Sequence, residues 1–215
     1  MTEKLFWREP YATTNDARIV RVDGAWVQLD RSVFFAESGG QESDEGTIAG
    51  RPVREARLFD DGRLAYRLDT DHGLMVGTAV AVEIDETRRR ALMRLHFAAE
   101  IVLELAGAAF PGIVKIGAHI APDKARIDFL WATTLAPALP ALQAEANALV
   151  AADRPIATGF EPGSESAERR YWEIAGFARV PCGGTHLART GEIGAISLKR
   201  RNPGKGKERI EIFVA

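Results

Sequence analysis

Two short segments of the sequence carry the side chains best suited to bind a metal. His96 and Glu100 are four residues apart in a segment whose apolar spacing predicts a helix, so both side chains project from one helical face. The lone cysteine, Cys182, stands four residues before His186 on a turn that contains two glycines. Imidazole nitrogen, carboxylate oxygen and thiolate sulfur are donors that zinc accepts in tetrahedral sites. Together, the four residues predict one zinc site.

Each half of this set also has an ordinary structural interpretation. A histidine and a glutamate at helical spacing commonly form a solvated pair on a helix surface. A single cysteine commonly behaves as a small buried apolar residue. The metal hypothesis therefore depends on the helix and the loop coming together in the fold.

The first of two predicted domains, residues 1–86, consists of short β-rich runs separated by turn residues such as Asp23-Gly24. Strands of this length and spacing are typical of a small barrel or sandwich, and we predict an N-terminal β-barrel. The predicted strands cover residues 18–22, 25–29, 33–35, 46–48, 54–59, 64–68 and 78–84.

The second predicted domain, residues 87–215, begins where the apolar period changes to three and four residues. We predict a helix of about 20 residues from Thr87, with Gly107 at its C-cap. An α+β two-layer domain follows from this pattern, with an antiparallel sheet packed by helices. Its further predicted elements are a hairpin over 113–120 and 125–131, helices over 138–152 and 164–174, a strand over 156–160 and a strand pair over 192–199 and 209–214.

Composition narrows the class of protein. An apolar fraction of 46%, a charged fraction of 27% and a net charge of −2 are ordinary for a globular chain and argue against a disordered or fibrous protein. One cysteine cannot build a disulfide framework, and residues 1–7 lack the features of a signal peptide. The apolar stretch 97–110 is interrupted by two glutamates, so we predict no membrane span and a cytoplasmic location.

The charge is unevenly distributed along the chain. Residues 1–86 carry 10 Lys and Arg against 17 Asp and Glu, a net charge of −7, whereas residues 87–215 carry 18 against 13, a net charge of +5. Only the second part would be attracted to a polyanion such as RNA.

Several longer segments form a recognisable pattern that covers nearly the whole chain. They are residues 30–41, which end in Gly-Gly-Gln, residues 94–96, residues 182–186 with 190–194, Glu145 with Asn147, and residues 205–210. The most specific of them is the segment that ends in Thr-Gly-Glu-Ile-Gly. This pattern resembles the free-standing alanyl-tRNA editing proteins, which are similar to the editing domain of alanyl-tRNA synthetase without its aminoacylation core.

This resemblance implies an aminoacyl-tRNA hydrolase that acts in translation fidelity. The implied substrate is tRNA(Ala) mischarged with serine, and also with glycine, and the implied cofactor is Zn²⁺ held by His96, Glu100, Cys182 and His186. Ser32 and Gln41 would deliver polar groups from the first domain to the catalytic cleft. The implied RNA contacts are the basic residues Lys199, Arg200, Arg201, Lys205 and Lys207.

One position departs from the family pattern, which has histidine where this sequence has Glu100. Three interpretations remain open. Glu100 is a fourth zinc ligand, or it is a catalytic base beside a three-ligand zinc and polarises a water, or the site binds metal weakly or not at all.

Two rival functions belong to other classes. A non-catalytic tRNA-binding protein would keep the basic residues but have a degenerate metal site, and stoichiometric zinc would count against it. A zinc hydrolase of a small molecule would work without RNA and show little dependence on salt, whereas tRNA binding weakens steeply with salt.

Overall fold

The computed structural model describes residues 2–162 and 169–215, which form two compact units. The first unit comprises Met1–Ser38 and Glu42–Arg90, and the second comprises Gly39–Gln41 and Ala91–Ala215. The predicted mixed α+β class is confirmed. That residues 1–86 and 87–215 are separate domains stays a prediction. Within the described ranges, no helix has the length and apolar character to cross a membrane.

The first unit is built almost entirely from short strands. Seven of them form one antiparallel sheet in the order β6-β5-β9-β2-β3-β8-β7, while β1 pairs in parallel with β4. Its elements are β1 (Glu3–Lys4), α1 (Leu5–Arg8), β2 (Thr14–Asp23), β3 (Trp26–Leu29), β4 (Arg31–Ser32), β5 (Gly46–Ile48), β6 (Arg51–Pro52), β7 (Glu55–Leu58), β8 (Leu64–Arg67) and β9 (Ala79–Ile84). Closure of these strands into a barrel stays a prediction.

The strands of this unit hold a core through the alternation of their side chains. In β9, Val80, Val82 and Ile84 are buried, whereas the residues between them are exposed. Val27 and Leu29 alternate in the same way along β3. One apolar face and one polar face are what a sheet buried on a single side requires.

The predicted strand over residues 33–35 is wrong, because this apolar run is irregular and buried. Its backbone donors are satisfied by side chains rather than by a neighbouring strand. The N–H of Val33 donates to Asn15 Oδ1 at 2.9 Å, and the N–H of Phe35 donates to Asp44 Oδ2 at 2.7 Å. Side-chain acceptors of this kind give a buried backbone an alternative to sheet pairing.

A buried ion pair stabilises the irregular segment of residues 33–35. Arg89 and Asp44 are 1% and 0% exposed, and Arg89 Nε donates to Asp44 Oδ1 at 2.9 Å. Arg89 also donates to the carbonyl oxygens of Val33 and Pro10, at 2.6 and 2.8 Å. Both charges are therefore compensated although water is excluded.

We expect Asp44→Ala to lower the free energy of unfolding by about 3–5 kcal/mol, because it leaves the Arg89 charge buried without its partner. Urea denaturation measures this change. Asp23→Ala is the matched control, since Asp23 pairs with Arg21 on the surface, where such a pair contributes about 0–1 kcal/mol. Equal losses for the two variants would contradict the role of burial.

The second unit combines two long helices with two antiparallel sheets. The four-stranded sheet has the order β10-β11-β16-β15, and the three-stranded sheet has the order β12-β13-β14. The elements are α2 (Glu86–Ala109), which contributes to this unit from Ala91 onwards, β10 (Val114–Ile120), β11 (Ala125–Leu130), α3 (Leu139–Ala151), β12 (Ala157–Phe160), β13 (Arg170–Ile174), β14 (Ala178–Pro181), β15 (Ile196–Gly204) and β16 (Lys207–Val214).

Helix α3 covers one edge of the four-stranded sheet. Asn147 Nδ2 donates to the carbonyl of Ile196 at 2.8 Å, and the N–H of Ile196 donates to Asn147 Oδ1 at 2.8 Å. The N–H of Leu198 donates to Gln143 Oε1 at 2.8 Å. These amide side chains satisfy edge groups of β15 that would otherwise be open to another strand.

The predicted helix over residues 164–174 is wrong in its second half, where β13 runs from Arg170 to Ile174. Arg170, Trp172 and Ile174 are buried and alternate with half-buried residues, which is the period of a strand. Residues 164–168 lie outside the described part of the chain. Helix α2 ends at Ala109, two residues beyond the predicted cap at Gly107.

Candidate metal centre and active site

His96, Cys182 and His186 come together in the second unit. Their possible ligand atoms all lie within 4.8 Å of one another, and Cys182 Sγ is 3.3 Å from His96 Nε2. His96 comes from the middle of α2, whereas Cys182 and His186 come from the loop that follows β14. The long helix and the glycine-containing loop therefore supply one cluster, as the joint sequence hypothesis requires.

The chemistry of the cluster fits zinc. Both ring nitrogens of His186 and Nδ1 of His96 are buried without a hydrogen-bond partner. An unpaired buried nitrogen is costly, and a metal ion would bind the lone-pair nitrogen of each imidazole while the other ring nitrogen keeps its proton. Nitrogen and sulfur ligands of one tetrahedral zinc lie roughly 3.3–3.6 Å apart, so small shifts of these side chains would complete the arrangement.

Burial controls the protonation of the three side chains. It lowers the pKa of His96, and it lowers the pKa of His186 well below its ordinary range. Burial, with a contribution from the Glu100 charge, raises the pKa of Cys182 to about 12. Both imidazoles are therefore neutral and ready to bind a metal near pH 7, whereas the thiol must first lose its proton.

Glu100 is not one of the three clustered donors. Its Oε2 accepts a hydrogen bond from the indole nitrogen of Trp172 at 2.9 Å. Trp172 is buried and contacts Phe97 edge-to-face, with ring centroids 5.1 Å apart. One carboxylate oxygen is thus held by a fixed donor, one helical turn from His96.

Arg170 holds the loop from Cys182 to His186 from the side of β13. Its backbone carbonyl accepts from the N–H of Cys182 at 2.9 Å, and its guanidinium donates to the carbonyl of Gly184 at 3.1 Å. The side chain is buried, which lowers the pKa of Arg170 to about 10. One residue therefore fixes the backbone at two points between Cys182 and His186.

The Gly-Gly-Gln segment belongs to the same unit as the cluster. Gln41 is fully buried, and its Nε2 donates to Thr185 Oγ1 at 2.9 Å while its Oε1 accepts from the N–H of Thr185 at 3.3 Å. The N–H of Ile120, at the end of β10, donates to the carbonyl of Gly40 at 2.7 Å. Gln41 is therefore anchored one residue before His186.

Ser32 lies in the first unit, at the end of β4. Its side chain is buried, and its Oγ accepts from the N–H of Phe34 at 3.1 Å. Its hydroxyl therefore supports the irregular segment of that unit.

The basic residues near the C-terminus have different surroundings. Arg200 donates to Glu208 through two nitrogens, at 2.8 and 2.5 Å, and Glu208 also accepts from the N–H of Leu135 at 3.0 Å. Arg201 pairs with Glu211 at 3.1 Å, although its own side chain is 68% exposed. Lys199, Lys205 and Lys207 are exposed.

Three residues beside the cluster were not predicted from the sequence, namely Arg170, Trp172 and Thr185. Thr185 stands between Cys182 and His186, so its position in the sequence could have indicated that it lies beside the cluster. Arg170 and Trp172 precede the loop in a segment that was predicted as a helix. An arginine and a tryptophan there gave no indication of a distant partner.

A domain model matches part of the second unit. Residues 173–211 match the second additional domain of threonyl and alanyl tRNA synthetases. This segment contains the loop with Cys182 and His186, and it continues into β16. This part of the chain is thus similar to a domain of the threonyl and alanyl tRNA synthetases.

Several relatives match nearly all of this chain. The alanyl-tRNA editing protein AlaX-M of Saccharolobus solfataricus is 32% identical over 98% of this chain and 98% of its own length. The AlaX-M protein of Pyrococcus horikoshii is 29% identical over 100% of this chain and 98% of its own length. An alanine–tRNA ligase of Methanoregula boonei is 31% identical over 98% of this chain but only 25% of the ligase. The chain belongs to the alanyl-tRNA editing protein family.

Proposed function

We propose that this protein is a trans-editing hydrolase that deacylates Ser-tRNA(Ala) and Gly-tRNA(Ala), with release of the amino acid and intact tRNA. The observation that supports this most directly is the close group of His96, Cys182 and His186 in a chain of the editing family. A pocket made for alanine rejects an analogue with one added hydroxyl or one missing methyl by only about 1–3 kcal/mol, so a second, hydrolytic site is needed.

His96, Cys182 and His186 would hold zinc, with Glu100 as a fourth ligand in the interpretation we favour. When bound, zinc supplies a positive charge that can orient the substrate or polarise a reacting oxygen. In the alternative interpretation, Glu100 takes the proton of the attacking water. Its hydrogen bond to Trp172 would then hold the carboxylate in place for that transfer.

Glu100→His is expected to keep zinc and activity because it restores the family pattern, whereas Glu100→Ala is expected to lose zinc because it removes a ligand. Zinc titration and single-turnover deacylation, measured on the same samples, separate the interpretations. An alanine variant that keeps full zinc occupancy but loses turnover would identify Glu100 as the base instead of a ligand.

We propose that Gln41 recognises the serine hydroxyl together with Thr185. Since Thr185 Oγ1 accepts from Gln41, its own proton remains available to donate to a substrate oxygen. Gln41 Nε2 also carries a second N–H. Alanine would leave such groups unpaired, which favours serine as the substrate.

Gln41→Ala is expected to lower kcat/KM for Ser-tRNA(Ala) by more than about tenfold and to narrow the serine-to-alanine ratio, because a lost buried hydrogen bond costs about 1–3 kcal/mol. Ser32→Ala provides the comparison and is expected to have the smaller effect. Steady-state deacylation of both esters checks the prediction. If Gln41→Ala keeps the original ratio, selectivity lies elsewhere in the second unit.

The test of the proposed function is deacylation of Ser-, Gly- and Ala-tRNA(Ala) side by side, with and without a zinc chelator. We expect the serine and glycine esters to be cleaved, the alanine ester to be spared and the chelator to abolish activity. Binding without cleavage would favour a non-catalytic tRNA-binding protein. Cleavage of small esters without any benefit from the tRNA would favour a small-molecule hydrolase.

We further propose that Lys199, Arg200, Arg201, Lys205 and Lys207 contribute to tRNA binding rather than to chemistry. Their positive charge supports contacts to phosphate, which position an RNA without reaching its ester.

A further inference from the structure

The outer face of the four-stranded sheet in the second unit carries a lattice of charged side chains. Strand pairing places Asp128 opposite Arg209 and Arg209 opposite Arg201, and it places Arg126 opposite Glu211 and Glu211 opposite Lys199. These six residues are two apart along each strand, so they all lie on one face, which we call the charged face. The opposite face carries buried apolar residues such as Ile127, Ile210 and Ile212.

Each acid of the charged face is shared by two cations. Asp128 accepts from Arg209 at 2.5 and 3.0 Å and also from Arg126. Glu211 accepts from Arg201 at 3.1 Å and from Lys124 at 2.9 Å, the latter reaching it from the turn between β10 and β11. Every carboxylate is thus outnumbered two to one, so the lattice is held in place and still has a positive excess.

The cations of this face retain unused donors. A guanidinium carries five N–H groups in a fixed plane, and only some of those on Arg126, Arg201 and Arg209 meet a carboxylate. Lys199 is exposed, with its ammonium 5.0 Å from the ring centroid of Phe213. Neighbouring strands repeat about every 4.8 Å, which presents these donors in rows on a flat surface.

From this lattice we propose that the charged face binds the sugar–phosphate backbone of tRNA, an inference that rests on the proposed function for the identity of the RNA. A regular chain of phosphates matches rows of fixed cations, whereas an acidic peptide would present flexible and irregularly spaced charges. The inference adds Arg126 and Lys124 to the basic residues near the C-terminus, which include Arg209. Arg200 is not part of the charged face, because it stands between Lys199 and Arg201 on β15 and therefore lies on the opposite face of the sheet.

The test compares two triple variants with equal loss of charge. The face variant is Arg126→Gln, Lys199→Gln and Arg201→Gln, which leaves Asp128 with Arg209 and Glu211 with Lys124. The control variant is Arg8→Gln, Arg31→Gln and Arg51→Gln, which removes three exposed cations of the first unit. Affinity for a tRNA(Ala) transcript is measured by fluorescence anisotropy over a range of salt concentrations.

We expect the face variant to bind tRNA at least about tenfold more weakly at low salt. The slope of log affinity against log salt should become shallower by about two to three, because each lost phosphate contact reduces it by roughly 0.7–0.9. The control is expected to stay within about twofold of the unmodified protein. Equal weakening of both triples, or none in the face variant, would overturn the inference.

Two further measurements keep the outcome clear. The double variant Lys199→Gln with Arg201→Gln alters only two exposed side chains of β15, so it serves if the triple variant folds poorly. It should show about two-thirds of the slope change expected for the triple variant. Hydrolysis of serine esterified to adenosine tests the chemistry without a phosphate backbone. The unmodified protein could fail to hydrolyse this ester while its tRNA binding still depends on the charged face. That result would count against the proposed hydrolase but would support the charged face as an RNA-binding surface.

Discussion

Gly184→Ala is expected to weaken zinc binding about 5- to 150-fold, which corresponds to an overpacking cost of about 1–3 kcal/mol. A Cβ atom at Gly184 would lie 2.6 Å from Cε1 and Nε2 of His96 and 2.9 Å from Oε1 of Gln41. Both neighbours are buried, so neither can move into solvent without losing its contacts. The substitution is therefore expected to displace Nε2 of His96, a proposed zinc ligand, together with the Gln41–Thr185 pair.

The adjacent glycine supplies the control. A Cβ at Gly183 would meet no heavy atom within 4 Å, so Gly183→Ala should keep zinc affinity and deacylation close to those of the unmodified protein. Neither glycine has a positive φ, so backbone strain does not separate the two variants. Competition with a chromophoric chelator measures the affinities. Equal zinc loss in both variants would mean that the loop, and not the space beside His96, is sensitive.

Zinc affinity is expected to rise about tenfold for each unit of pH between about pH 6 and 9, with release of one proton on binding. The raised pKa of Cys182, about 12, keeps the thiol protonated throughout this range, so zinc must displace that proton. The lowered pKa values of His96 and His186 keep both imidazoles neutral, and they add no further proton. Affinity should therefore follow the thiolate population alone.

Cys182→Ala tests this assignment. It should lower zinc affinity by at least about 100-fold and flatten the pH dependence, because a ligand and the only displaced proton are both removed. Calorimetry in buffers of different ionisation enthalpy counts the released protons. If Cys182→Ala keeps full zinc occupancy and the same dependence of zinc affinity on pH, Cys182 is not a ligand.

Elements with a strong local period were predictable from the sequence. Helix α2 and the hairpin of β10 and β11 lie where the apolar spacing indicated them, since their patterns depend on residues close in the chain. Residues 33–35 and 170–174 were predicted wrongly because distant groups decide their structure. Asn15 and Asp44 satisfy the first segment, and strands on both sides enclose the second.

The candidate ligands of the site were predictable from the sequence, but the residues that hold them in position were not. His96, Cys182 and His186 were named together from their chemistry, and the structure brings them together, although their role as ligands stays a prediction. The guanidinium of Arg170 at Gly184 and the indole of Trp172 at Glu100 depend on tertiary packing. No spacing in a single sequence encodes such contacts.

The assignment of Gly39–Gln41 to the second unit has a consequence for dissection of the chain. A fragment that starts at residue 87 would contain every proposed zinc ligand, yet it would lack the amide partner of Thr185 and the carbonyl that accepts from Ile120. The buried N–H groups of Thr185 and Ile120 would then have to donate to water, or the surrounding chain would have to rearrange to supply other acceptors. The unit that contains the proposed zinc ligands is therefore discontinuous in sequence. A shortened version would have to replace a tripeptide encoded some fifty codons upstream of its own first residue.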